Sequence, residues 1–188
     1  AFANCTSLTK IYYNVLDNTS TTEWTAATTP WLNVGSEEGV VVVLGNAVTK
    51  IAPYQFAYFT NLKEVTGGPS LTSIGNYAFY DCINLVSYPY FDLLTYIGSY
   101  AFYNCSSLEY ISVPSHVTSL GSYAFQECTV VKTVEYDAII SSCTLWTDAT
   151  TPWLNVGSDV EGGITLVVGT RSLPYYAFHK LKSAKKTN

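Results

Sequence analysis

The sequence predicts a repeat solenoid: short parallel strands joined by short helical turns, in about eight coils of 23–29 residues forming one domain over 1–188. Three observations predict it. Phe56, Phe79, Phe102 and Phe125 recur every 23 residues. Each carries the same apolar frame: Ile51, Ile74, Ile97 or Leu120 five residues before it, Val48, Leu71, Leu94 or Val117 three before that, and Leu62, Leu85, Leu108 or Val131 six after it. Finally, residues 24–36 recur as 146–158, an offset of 122 that also separates Phe56 from Phe178.

Each element follows from that frame. After the Phe turn, Leu108, Ile111 and Val113, or Val131, Val134 and Tyr136, alternate as a short strand with one buried face does. Strands are therefore expected to begin near Leu62, Leu85, Leu108 and Val131, with Val40–Leu44 and residues 164–168 as further rungs. The Ile-Gly-x-Tyr-Ala-Phe-x-x-Cys string between strands reads as a turn plus one short helical piece. Gly75, Gly98 and Gly121 stand there for either a positive φ or a close approach. If Trp31 and Trp153 occupy the Phe site, the steps from Phe2 to Phe178 become 29, 25, 23, 23, 23, 28 and 25, one coil each. The extra residues would bulge at 14–28 and 138–150, since loop closure grows only slowly in cost with length. The coils then group into a five-coil super-repeat of 122 residues, and the chain reads as a fragment of a longer repeat protein.

Residues 117–128, Val-Thr-Ser-Leu-Gly-Ser-Tyr-Ala-Phe-Gln-Glu-Cys, resemble the treponemal-type leucine-rich repeat of BspA-like surface proteins. The likeness is close over 48–137 and reaches most of the chain through the degenerate coils. It implies a leucine-rich-repeat solenoid that is secreted or attached to a cell wall or cell surface, and that serves in adhesion to host proteins or other microbes. It says nothing of the ligand. Pro174, Thr170 and Ala184 depart from the pattern in the last coil.

Composition narrows the function classes. The chain is 48% hydrophobic and 12% charged, with a net charge of -5 that argues against nucleic acid as a partner. Its longest apolar run, Val40–Leu44, is strand-sized, so no membrane insertion is expected. The basic tail, Lys180, Lys182, Lys185 and Lys186, reads as a solvated end. No cofactor, metal centre or catalytic set is expected: His116 and His179 stand apart, without a nucleophile motif or paired carboxylates. Cys5, Cys82, Cys105 and Cys128 sit three residues after the repeat aromatic, where other coils carry Phe59 and Leu181, so free buried thiols are expected rather than disulfides. Cys143 lies outside that ladder. Glu37-Glu38 and Asp159/Glu161, in matching loops, read as solvated, with calcium binding as the alternative. Asn18 and Asn104 begin glycosylation sequons.

The aromatics leave two readings open. Tyr54, Tyr77, Tyr100, Tyr123 and Tyr176 form a ladder two residues before the Phe site, either packing over the core or presenting a binding stripe. The same alternatives hold for Trp24, Trp31, Trp146 and Trp153. Mapped through the repeat, the solvent face of the strands carries Thr9, Lys10, Tyr12, Lys63, Glu64, Val86, Ser87, Glu109, Tyr110, Ser112, Lys132, Thr133 and Glu135. The expected function is a non-catalytic module binding an extracellular protein or glycan there. The alternatives are a structural spacer or stalk and a glycan-binding module. Variation among Lys63, Val86, Glu109 and Lys132 at one repeat position favours binding.

Overall fold

The computed structural model describes residues 2–16, 22–138, 146–147, 150–169, 178 and 181, and the backbone of 185–187. Eleven strands are present among them: β1 (Lys10–Tyr13), β2 (Val40–Leu44), β3 (Lys50–Ile51), β4 (Leu62–Gly67), β5 (Ser73–Ile74), β6 (Tyr96–Ile97), β7 (Tyr110–Val113), β8 (Ser119–Leu120), β9 (Thr133–Tyr136), β10 (Thr165–Val168) and β11 (Lys185–Thr187). All pairings are parallel and fall into three sheets, ordered β1-β2-β4, β11-β10-β9-β7 and β3-β5-β6-β8. Equivalent repeat positions face each other: Ile51 pairs with Ile74, Ile74 with Ile97, and Ile97 with Leu120.

The expected helical turns are not there; the described residues contain no helix. Tyr54, Tyr77, Tyr100 and Tyr123 adopt φ of 57–59°, and Tyr58, Asp81, Asn104 and Glu127 follow with φ of 55–64°. Two left-handed residues within five positions break any right-handed helical run. Between them the amides on either side of the Phe bond within the turn, as Gln55 to Ala52 and Ala57 to Tyr54 do, while the Phe amide bonds outward. Phe56, Phe79 and Phe102 each donate to the carbonyl of Ala78, Ala101 and Ala124 in the next repeat unit, at 2.7–2.8 Å. The turn is thus a third line of hydrogen bonds between units. The glycines beside it serve close approach: a Cβ on Gly98 would stand 2.5 Å from the Asn76 backbone nitrogen.

The core is a column of rings. Phe56, Phe79, Phe102 and Phe125 stack at 5.0–5.4 Å between centroids. Trp31 continues the column at 5.6 Å from Phe56, and Trp153 at 5.6 Å from Phe125. The two tryptophans are 4% and 0% exposed. Their duplicated segments fold alike. The Trp31 and Trp153 amides bond the hydroxyls of Thr29 and Thr151 at 3.2 Å, and Gly35 and Gly157 donate to Cys5 and Cys128 at 3.0 Å. Cys82, Cys105 and Cys128 are buried free thiols, each donating to the carbonyl of Phe56, Phe79 or Phe102. Burial pushes all three thiols well above their ordinary value. Cys5 is free but exposed, contrary to the ladder expectation, because among the described residues no unit covers its outer side. Cys143, His179, Tyr176, Asn18 and the departures at Thr170, Pro174 and Ala184 lie outside the described residues.

The strand expected near Leu85 is reduced to a single bridge, Glu64 to Ser87. Pro89 has no amide to give a ladder, so the chain leaves the sheet there. Tyr88 turns inward, stacks 4.8 Å from Phe102, and its hydroxyl bonds both the amide and the carbonyl of Ser112, at 3.0 and 3.1 Å. A phenol thereby does for β7 what a neighbouring strand does elsewhere.

Candidate functional site

The strand face departs from simple alternation at one of the expected binding residues. Ser112 is 1% exposed, covered by Tyr88 from the unit before it, and is no surface residue. The others reach solvent to different degrees. Tyr12 is 69% exposed on β1, with Thr9 and Lys10 also exposed. Glu64, Ser87, Thr133 and Glu135 are half-buried, whereas Lys63, Val86, Glu109, Tyr110 and Lys132 are exposed.

Four of these come together. Lys63, Val86, Glu109 and Lys132 occupy one row on successive units and line two adjoining depressions that share Val86 and Ser107. Asn61 and Asn84 complete the floor at one end, Ser106 and Val130 at the other. The end walls are the loops carrying Glu37 and Glu38, and Asp159, Val160 and Glu161. The result is a trough along the stacking direction, closed at both ends by equivalent loops of the duplicated segments. The larger depression has a cavity volume of about 560 Å³. Each loop returns to its strand through a glycine of positive φ, Gly39 at 94° and Gly163 at 83°. The lysines of the floor are engaged: Lys63 Nζ donates to the Glu38 carbonyl at 3.2 Å, and Lys132 pairs with Glu109 at 2.8 Å.

Tyr110 and Glu135 form a second cluster, joined by a hydrogen bond from the phenol to the carboxylate. Burial, then that bond, raises the Tyr110 pKa. Asp137 beside them is raised by burial and by Glu135. Tyr12 belongs to neither group.

Two features escaped the sequence reading. The end-wall loops were read as matching and solvated, and Glu37, Glu38, Asp159 and Glu161 are indeed exposed, but their place beside the row of Lys63, Val86, Glu109 and Lys132 was not read. A second tyrosine column, Tyr58, Tyr80 and Tyr103, runs beside Tyr54, Tyr77, Tyr100 and Tyr123. Rings in the first column lie 4.7–4.9 Å apart. All seven are half-buried, so ring packing and an exposed hydroxyl edge coexist. Burial, then Asp81, pushes Tyr80 up to about 12. Among the described residues, no three of His, Cys, Asp or Glu converge as metal ligands. No helix there is long and apolar enough to cross a membrane.

Short parallel strands paired at equivalent repeat positions, a single aromatic core column and leucine-type residues at fixed spacing define a leucine-rich-repeat protein. The chain belongs to the family described as BspA type leucine rich repeat region, whose model matches residues 40–145 with 6 copies. Among solved structures it is similar to the T. pallidum leucine rich repeat protein, at 24% identity and a TM-score of 0.44 over 53% of this chain and 60% of that one. The chain thus spans about three-fifths of that protein's length. No curated protein matches it.

Proposed function

We propose that this chain is a non-catalytic, protein-binding module, and that its units stack as one continuous solenoid over 1–188 with the 122-residue super-repeat as its larger period. The observation that carries the reading is the trough: a recess spanning successive units, with a floor that varies at a position where the core beneath does not. Lys63, Glu109 and Lys132 are its contact residues, with Glu64 and Ser87 beside them. Tyr110, Thr133 and Glu135 extend the contact along the strands, and Tyr12 lies at the far edge. Family membership and a strand face of mixed charge support a protein ligand over a spacer role. By analogy with the family, the module works at a cell surface or after secretion, in adhesion.

The test is retention of the purified chain on an array of extracellular-matrix proteins and glycans, alongside a Lys63→Glu/Lys132→Glu variant. Both lysines are solvent-exposed, and the single pair they make, Lys132 with Glu109, contributes about 0–1 kcal/mol, so the variant folds. Retention on a protein spot that changes at least about tenfold in either direction in the variant supports the reading. Retention on glycans alone assigns the module to sugar binding. No retention anywhere leaves the spacer as the correct description.

A further inference from the structure

The two end walls of the trough carry more charge than the floor can answer. Glu37 and Glu38 stand at one end, Asp159 and Glu161 at the other. None of the four forms an ion pair among the described residues; the ion pair nearby is Lys132 with Glu109, within the floor. Lys63 is directed to a backbone carbonyl, so it neutralises no carboxylate by direct contact. Its stem lies against Gly39, where an added Cβ would come within 2.7 Å of Lys63 Cβ. The lysine is therefore held against the wall. The trough is left with an anionic patch at each end and, between them, the apolar surfaces of Val86 and Val130.

The spacing of the two patches is set by the fold. From the unit of Glu37 to that of Asp159 there are five steps, at about 4.8 Å each, hence about 24 Å. An extended polypeptide rises about 3.3 Å per residue and covers that distance in about seven residues. Floor groups suit a peptide backbone: Asn61 and Asn84, whose amide nitrogens donate to Val34 and Thr60, offer their side-chain oxygens to a peptide N–H, and Ser107 adds a hydroxyl.

We propose that the trough takes an extended basic segment of a protein partner, about seven residues long, with a cationic side chain toward each acidic loop and an aliphatic one over Val86. The inference rests on the reading of the strand face as a protein-binding surface and names the partner's chemistry. A single cation would satisfy one wall only. Two cations at the matching separation satisfy both, and the second binds at the effective concentration set by the first.

The test uses the whole chain and acetylated, amidated heptapeptides followed by fluorescence anisotropy. The probe has arginine at its first and seventh positions, about 20 Å apart with the side chains reaching the rest of the way, leucine at the third on the same face, and serine elsewhere. One control moves the two arginines together, and another replaces them with glutamate. The spaced peptide is expected to bind at least about tenfold more tightly than either control and to weaken with added salt. Glu37→Gln/Glu38→Gln and Asp159→Asn/Glu161→Gln are each expected to remove that advantage. Equal binding of spaced and adjacent arginines, indifference to both wall variants, or no binding at millimolar peptide would overturn the inference. The failure is distinguishable from that of the general reading: array retention lost in Lys63→Glu/Lys132→Glu but kept in both wall variants leaves a protein-binding face with a different ligand chemistry.

Discussion

Tyr88 contributes two hydrogen bonds to Ser112 that peptide groups supply at the equivalent place in other units. Tyr88→Phe keeps the ring and its stack on Phe102 but strands the amide and carbonyl of a buried residue. A loss of about 1–3 kcal/mol in urea unfolding is expected; an unchanged midpoint would mean that the phenol is incidental. This interaction was illegible in the sequence because the residue that covers Ser112 lies 24 positions earlier. The buried thiols were legible, since a site that takes Cys82 in one coil and Phe59 in another must be apolar. Asp81 is a different kind of residue-scale prediction. Burial raises its carboxyl pKa above 3.8, and the bond from Asn104 only partly offsets that. A folded pKa above the unfolded one means the native state holds the proton more tightly. Asp81 therefore favours folding at low pH, and that contribution is lost as pH rises through the folded value. Asp81→Asn, at a φ of 57° that Asn tolerates, is expected to raise the thermal midpoint at neutral pH. The gain should vanish below pH 3.8. A gain independent of pH would contradict the electrostatic cause.

At the scale of the element, the strands were readable and the turns were not. Alternation of Ile111 and Val113 against their neighbours marks a strand whatever surrounds it, whereas the turn is decided by where its amides find acceptors. The string Tyr-Ala-Phe has no helix breaker, and local preference alone cannot reveal that Phe79 donates to Ala101 in the next unit. The glycine position was left between two explanations, and the geometry selects close approach. Gly98→Ala places a methyl 2.5 Å from the Asn76 nitrogen and 2.6 Å from the Gly75 carbonyl carbon. Neither is the end of a flexible side chain, so the units must move apart. A destabilisation of about 1–3 kcal/mol is expected from overpacking. Substitution without loss, by calorimetry, would show that the unit spacing relaxes freely.

For the whole molecule, the 122-residue duplication was legible as a string, and its two tryptophans take equivalent places in the ring column. Trp153 touches Phe125 on one side and Phe178 on the other, at 5.6 and 5.9 Å. Trp153→Ala removes the largest fully buried side chain from between two neighbours. A cost of about 3–5 kcal/mol is expected, read from chemical denaturation. A cost below about 1 kcal/mol would mean that the column closes over the gap. The trough was only half legible: its floor follows from repeat position, but its ends depend on two loops that only the stacking brings to one side.

The turn hydrogen bonds have a mechanical consequence. Phe56 to Ala78, Phe79 to Ala101 and Phe102 to Ala124 each tie one unit to its immediate successor, and none bridges a unit. A load applied through the two ends therefore bears on one interface at a time. Under force spectroscopy the chain is expected to peel in small successive extensions, each releasing one unit of 23–29 residues, rather than rupture in a single long event. A chain of this kind yields gradually under load, lengthening while most of its units stay folded.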